Sequence, residues 1–314
     1  MPDPTTQKHF VAPIETETIS VDAVRIAEKP SNLWRDAWTD LRRRPLFWAS
    51  VALALIFLVM AVWPTLFTST PPNGDCQLSN SNGGPTDGHP LGFTFQGCDI
   101  YARLIWGAQT SLSVGLLATL ISSVLGLIMG ALAGFYGGWL DSLLSRVGDI
   151  FFAIPYILAA VVVMTVFSQY RSVPVLALAI GGFAWASTAR VVRAEVLRVR
   201  QADFVVASRA LGKGKFGTLV AHVIPNALAP LLVLTTLSLA ASIVAEATLS
   251  FLGVGLGSST MSWGNDISAA QSSLRVAPMA LIYPSIALTL AVLAFVTLGE
   301  LIRDALDPKA RARR

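Results

Sequence analysis

The side chains here that could do chemistry are three histidines, two cysteines, a lysine-glycine run and a few acids at the edges of apolar blocks. His9, His89 and His222 fall in three unrelated stretches, so they give no converging ligand set and no metal site is expected. Gly-Lys-Gly-Lys at 212–215 is the nearest approach to a phosphate-binding loop, but it lacks the upstream strand, the glycine spacing and the hydroxyl that would hold magnesium. An intramembrane protease would need paired aspartates, or a serine with a lysine or histidine, inside apolar segments, and none occurs. Glu246, Glu300, Asp141, Asp149 and Glu195 all sit near the ends of such segments, where snorkelling or local pairing accounts for them. A proton-coupled carrier would want an acid near the midplane. The expected catalytic set is empty, and the chain reads as non-enzymatic.

The elements around these residues are those of a membrane protein. Of 314 residues, 54% are hydrophobic and only 13% charged, about half of the roughly 25% of soluble domains, and the mean hydropathy is +0.61. The apolar residues occur in bilayer-length blocks at 46–66, 111–135, 150–167, 173–192, 228–248 and 277–299. This predicts an all-α polytopic membrane protein with six transmembrane helices, the Gly and Pro within the blocks being tolerated as they are in lipid. Arg42, Arg43 and Arg44 precede the first block, but 45 residues lie upstream and no small-residue cleavage pattern follows, so an uncleaved span is expected. Twenty of the 23 bases fall on one side of this topology, leaving Arg103, Arg171 and Arg275 on the other. Both termini are therefore expected in the cytoplasm. The net charge of +4 reflects topology rather than a nucleic-acid surface.

The expected organisation is a cytoplasmic tail (1–45), a first span (46–66), an external loop (67–104), a core of five spans (105–299) and a cytoplasmic tail (300–314). Within the core lie a cytoplasmic loop (193–225) and an external segment (249–276). The first external loop is rich in Pro, Gly and Asn and holds both cysteines, Cys76 and Cys98; on an oxidising side they can pair, the alternative being two unpaired small apolar residues. Segment 249–276 has too little charge for a free loop and too many breaks for a span, so a re-entrant shelf is expected, with Trp263 anchored near the headgroups and Asn265 and Asp266 facing water. Small residues at Gly115, Ala118, Ser122, Gly126, Gly130, Ala131 and Gly134 permit close helix contact, inside the subunit or across an interface.

The cytoplasmic loop reads as short helices joined by Gly212 and Gly214 and ended by Pro225, a compact knob that either caps the bundle or docks a partner. Ala-Ser-Arg-Ala-Leu-Gly at 207–212, followed by His222, Ile224, Pro225 and Asn226, resembles the coupling loop of binding-protein-dependent ABC importer permeases, with Val206 where a Glu and Ser208 where an Ala is usual. His-Pro-Leu-Gly at 89–92, the run 103–115, Gly-Phe-Tyr-Gly-Gly-Trp-Leu-Asp at 134–141, Asp-Ile-Phe-Phe-Ala-Ile-Pro at 149–155, Glu-Ala-Thr-Leu-Ser-Phe-Leu-Gly at 246–253, Ser-Trp-Gly at 262–264 and Arg-Asp-Ala-Leu-Asp-Pro at 303–308 resemble one branch of that family, the C-type permease of dipeptide and oligopeptide importers. The chain departs from the branch at Phe93, Thr94, Phe95, Cys98, Val296 and Glu300, which bears on the solute and its binding protein.

The resemblance implies the type I ABC importer permease fold in a bacterial inner membrane, and a path shared with a homologous second permease. It implies two cytoplasmic ABC ATPases that hold ATP and Mg2+, no cofactor in this chain, and an external solute-binding protein. Phe204, Ala207, Ser208, Arg209, Leu211, Gly212, His222 and Pro225 would meet an ATPase, and Glu246, Ser250, Trp263, Asn265 and Asp266 would lie on the binding-protein side. By position, Ser113, Thr119, Ser123, Thr165, Ser187 and Ser242 are expected to line the path, with Met164 and Phe167 as apolar plugs. Short peptides are the expected substrate; nickel or glutathione importers, or a stand-alone secondary transporter or channel, are the alternatives.

Overall fold

The computed structural model describes residues 33–71, 73–74 and 76–306. Most of the expected tails, with Lys8, His9, Arg25, Lys29, Lys309, Arg311, Arg313 and Arg314, lie outside the described residues. Among the described residues the structure is helical, with two isolated bridge pairs in the first loop.

α1 (Leu33–Leu41) is amphipathic and lays Ala37 and Leu41 against Leu301 and Ala305 near the end of the described chain. α2 (Pro45–Val62) starts on a proline, whose missing N–H would be unpaired in a first turn anyway. It stops at Trp63 rather than continuing to the expected residue 66, because Pro64 excludes the helical conformation from the residue before it. α3 (Ile100–Tyr136) is capped by Asp99, whose carboxylate accepts from the Tyr101 N–H at 2.9 Å. Its 37 residues make a rod of about 55 Å, which outreaches the roughly 30 Å hydrocarbon layer at both ends.

The third expected span, 150–167, is not one straight helix. α4 (Gly138–Ala153) and α5 (Tyr156–Val166) meet at 79°. Pro155 forces Ile154 into an extended conformation (φ −92°, ψ 119°) and has no N–H with which to carry the helix through. With 11 residues, about 16 Å, α5 is too short to cross alone. α6 (Val173–Arg200) runs on past the expected residue 192 into the arginine-rich stretch. α7 (Asp203–Ala210), α8 (Lys215–Thr218) and a π-helical turn at Leu219–Val223 lead into α9 (Ile224–Phe251); α10 (Trp263–Ala270) and α11 (Met279–Leu306) complete the order. Five helices are long and apolar enough to cross a membrane, and the bent pair α4–α5 passes the same test only when taken together, giving six if the pair is one span.

One end of the bundle carries the two cysteines and α10; the other carries α1, α7, α8 and most of the arginines. These are called the disulfide end and the arginine end. The run of small residues on α3 turns inward, not toward another chain. A methyl placed on Gly126 would stand 2.6 Å from the Thr188 Cβ, on Gly130 2.5 Å from the Ala189 carbonyl oxygen, and on Gly134 2.8 Å from the Arg193 carbonyl oxygen, all on α6. Gly115 makes the same approach to Ile243 of α9. Only hydrogen at these positions lets the α3 and α6 backbones come this close. Leu120, Val124, Leu158, Val162 and Leu293 remain exposed on the outside, as a lipid-facing surface requires.

Candidate functional site

Three places carry the side chains singled out above: the knob at the arginine end, a cavity beside the α4–α5 bend, and a polar centre under the disulfide loop. In the knob, Val205, Ser208, Thr218, Leu219 and Val223 turn inward, the apolar ones packing with Phe135, Val192, Val196 and Val199. Ser208 was expected to face a partner; instead it is buried, with no hydrogen-bond partner for its Oγ. One residue either way on the helix reverses the direction, so Ala207 is exposed beside it. Phe204, Val206, Leu211 (89% exposed) and Phe216 (67%) form the outward face. Arg209 stands over the Phe135 ring at 4.9 Å, and the Lys213 Nζ lies 3.2 Å from the His222 Nε2. Gly212 turns the chain with φ +84°, in the region that favours glycine. Pro225 is exposed in the first turn of α9.

The cavity beside the bend has a volume of about 340 Å³. Ser187 and Ser242 line it as expected, joined by Ser122, Thr188 and Ser238, and Phe151, Phe152, Tyr156 and Phe183 supply aromatic faces; among the described residues no charged side chain lines it. The other expected path residues are elsewhere. Thr119 is buried with its Oγ1 3.5 Å from the Ser242 Oγ, and the Ser123 Oγ lies 3.2 Å from the Thr235 Oγ1, in helix contacts. Ser113 does not reach the cavity. Met164 is fully buried against Ala160, Leu176 and Ile180 and so is a core residue, not a plug. Thr165 is exposed, its hydroxyl spent on the Val161 carbonyl at 2.7 Å, and Phe167 lies exposed at the end of α5. The aromatic side chains around Pro155 were the missed signal.

The expected shelf is inserted into the bundle instead of lying on it. Trp263 is fully buried, edge-on to Phe57 with ring centroids 5.6 Å apart, and its Nε1–H donates to the Leu104 carbonyl at 3.0 Å. Gly107 makes room for the indole and Gly264 lets the α10 backbone close on Ala247. With its one polar group satisfied, the large ring is better buried than held at a headgroup. Asp266 does not face water: it is buried and paired with Arg103, whose Nε donates to its Oδ1 at 2.9 Å. Burial pushes the Asp266 carboxyl above its ordinary pKa, and the Arg103 charge opposes that rise. Asn265 turns its amide onto the carbonyls of Gly257 and Thr260, at 3.2 and 2.8 Å, closing the preceding loop.

Glu246 lies beneath. Its carboxyl is fully buried and accepts from the Ser111 Oγ and the Ser250 Oγ, both at 2.8 Å, while the Trp263 N–H donates to the Ser111 Oγ at 3.2 Å. This centre pins α3, α9 and α10 together, and neither Ser111 nor Arg103 was foreseen as a partner. Above it, Cys76 and Cys98 form a disulfide that closes the loop directly ahead of the Asp99 cap. Nearer the arginine end, Asp141 grips Arg193 through two contacts of 2.5 and 2.7 Å, and Asp149 pairs with Arg190 at 2.9 Å. Glu195 and Glu300 each pair with an arginine three residues on. Among the described residues no cluster of three or more potential ligands could hold a metal ion.

Comparison with known proteins agrees with this architecture. The family described as binding-protein-dependent transport system inner membrane component matches residues 91–312. The N-terminal TM domain of oligopeptide transport permease C matches residues 32–85. The chain is 33% identical over 279 residues to the glutathione transport system permease protein GsiD of Pectobacterium atrosepticum, covering 89% of this chain and 92% of that one. It is 32% identical over 290 residues to the oligopeptide transport system permease protein OppC of Bacillus subtilis, covering 92% and 94%. To the dipeptide transport system permease protein DppC of Alkalihalophilus pseudofirmus it is 33% identical over 279 residues, covering 89% and 91%. With five to six apolar spans, an outward-facing apolar knob and a family match over most of its length, the chain belongs to the inner-membrane permeases of binding-protein-dependent ABC importers.

Proposed function

We propose that this permease carries short peptides, forming the translocation path together with a homologous second permease. A solute-binding protein delivers the peptide at the disulfide end, which lies outside. Two ABC ATPase subunits, which hold the ATP and Mg2+, dock at the arginine end in the cytoplasm, where both termini lie. The carrying observation is the knob: Phe204, Val206, Leu211 and Phe216 are exposed together beside Arg209, Lys213 and Lys215. Such a surface is too apolar to be left to water, and on a knob projecting from the arginine end it supports docking of a protein partner. The excess of bases at that end supports the orientation.

Peptides are the solute that the three relatives share, glutathione being itself a tripeptide. The cavity beside the bend supports a general peptide path, because hydroxyls and aromatic faces without charge accommodate backbone amides of any sequence. The test is to purify the chain in mild detergent, identify what remains bound, and reconstitute the assembly with its binding protein. The reading requires a second permease, an ATPase pair and ATP-dependent uptake of labelled dipeptides or tripeptides. Peptide uptake by this chain alone, or uptake indifferent to ATP, refutes it.

A further inference from the structure

Among the described residues the disulfide end holds three arginines, Arg103, Arg171 and Arg275, and two of them line one cavity of about 570 Å³. This cavity is separate from the one beside the bend. Its walls come from the disulfide loop, the start of α3, the turn between α5 and α6, and the stretch from the end of α9 into α10. Its size is that of a small-ligand pocket.

The two arginines differ in what already neutralises them. Arg103 is bound to Asp266 and, through Nη1 at 2.9 Å, to the Asn73 Oδ1. Among the described residues Arg171 has no carboxylate partner: its Nη1 donates to the Gly253 carbonyl at 3.2 Å, and its Nε is buried without a hydrogen-bond partner. No described Asp or Glu lines the cavity. A guanidinium partly withdrawn from water and lacking a counter-ion gains strongly from an arriving anion, and its planar fork matches the two oxygens of a carboxylate. Gly253 holds one arm of the fork in place, so little side-chain freedom is lost when the part of the guanidinium that lines the cavity takes an anion. Gln96 and Ser258 offer neutral polar groups in the same cavity for the adjoining amides.

We infer that this cavity is a carboxylate subsite in which Arg171 takes the C-terminal carboxylate of a peptide released by the binding protein. The inference rests on the peptide-importer reading with the disulfide end outside. A carboxylate on the binding protein itself is the competing occupant; the concave site, of small-ligand size, favours the peptide.

The experiment compares uptake of one tripeptide as the free acid and as the C-terminal amide. It uses the complete complex in proteoliposomes, with saturating amounts of the same binding protein. Because that protein is common to all samples, the change in the acid-to-amide ratio between wild type and variant reports the permease. Arg171→Gln should lower the ratio about tenfold, the scale of a charge-assisted hydrogen-bond pair. Arg171→Lys should restore part of it. Gln96→Asp, which adds a negative charge to the cavity without touching the Arg171–Gly253 contact, should lower the ratio as well, so the answer does not depend on one substitution. A ratio unchanged in both Arg171→Gln and Gln96→Asp overturns the inference. An equal loss of acid and amide uptake also overturns it, and assigns the charge to docking of the binding protein. If the wild-type complex carries neither peptide, the importer reading itself fails, and the subsite with it.

Discussion

Gly181 and Gly182 are neighbours on α6 with opposite surroundings, and replacing each by alanine tests the glycine seam. A methyl on Gly181 would overlap the Ala118 carbonyl oxygen of α3 and stand 3.0 Å from the Ile121 Cβ, while one on Gly182 would meet nothing within 4 Å. The oxygen belongs to helix backbone and cannot rotate away. Farther along the seam Gly126, Gly130 and Gly134 hold the same two helices together, so the strain cannot be relieved by pivoting. Gly181→Ala should therefore cost about 1–3 kcal/mol of overpacking, or more. Gly182→Ala should be neutral or gain roughly 0.5–1 kcal/mol from removing a helix-interior glycine. At about 2–4 °C per kcal/mol for a chain of this size, the apparent Tm of the full chain in detergent should fall by roughly 2–12 °C for the first and stay level or rise by up to about 4 °C for the second. Ala118→Gly should not rescue Gly181→Ala, since the overlapping atom is the carbonyl oxygen, not the side chain. Equal shifts at the two positions, or a larger one at Gly182, would refute the claim that α3 and α6 pack backbone to backbone here.

Other substitutions probe the remaining sites. At Gly212 an added Cβ meets no atom within 4 Å, so the backbone strain of Gly212→Trp inside the knob is about 1–2 kcal/mol; membrane insertion should survive while uptake is uncoupled from ATP hydrolysis, and normal transport would count against docking at this turn. Trp263→Ala should cost about 3–5 kcal/mol, because it empties a core site and leaves the Leu104 carbonyl without its donor; a variant as heat-stable as wild type would place the indole outside the core. Replacing Cys76 and Cys98 together should cost the loop about 3 kcal/mol and expose residues 77–97 to proteolysis; two alkylatable thiols in the native protein, found by intact mass, would remove the bond altogether. Glu246→Ala should destabilise by about 2–4 kcal/mol because the hydroxyls of Ser111 and Ser250 lose their acceptor, with Glu246→Gln milder, and equal stability of the two variants would show that the hydroxyl contacts carry no weight.

What could be read ahead of the structure depended on how local its cause was. The spans were legible because a bilayer asks the same thing of every residue in a block, and the spacing of Gly126, Gly130 and Gly134 advertised a close contact without naming its partner. Gly212 was legible as a turn for the same local reason. The break at Ile154 was within reach, since Pro155 lies in plain view, yet an apolar block does not say whether its helix passes straight through. Trp263 could not have been placed: its burial depends on Gly107 and Phe57, on two other helices, and the local sequence is as suitable for a headgroup region. Glu246 is a similar case, because its surroundings become polar only when Ser111 arrives from α3. Met164 reversed from plug to core because helix rotation about its own axis is set by packing, which the apolar composition of α5 leaves open.

The length of α3 has a mechanical meaning. A single unbroken helix of 37 residues joins the disulfide loop, through the Asp99 cap, to the arginine end beside Phe135 and the knob. Its seam with α6 leaves little room for sliding, so the pair behaves as one beam. Over about 55 Å of rod, a tilt of about five degrees swings one end by about 5 Å relative to the other, which is a full helical turn. A displacement imposed at the knob is thus carried along a rigid pair, with no need of side-chain rearrangement, to the rim where Arg103 and the disulfide loop sit.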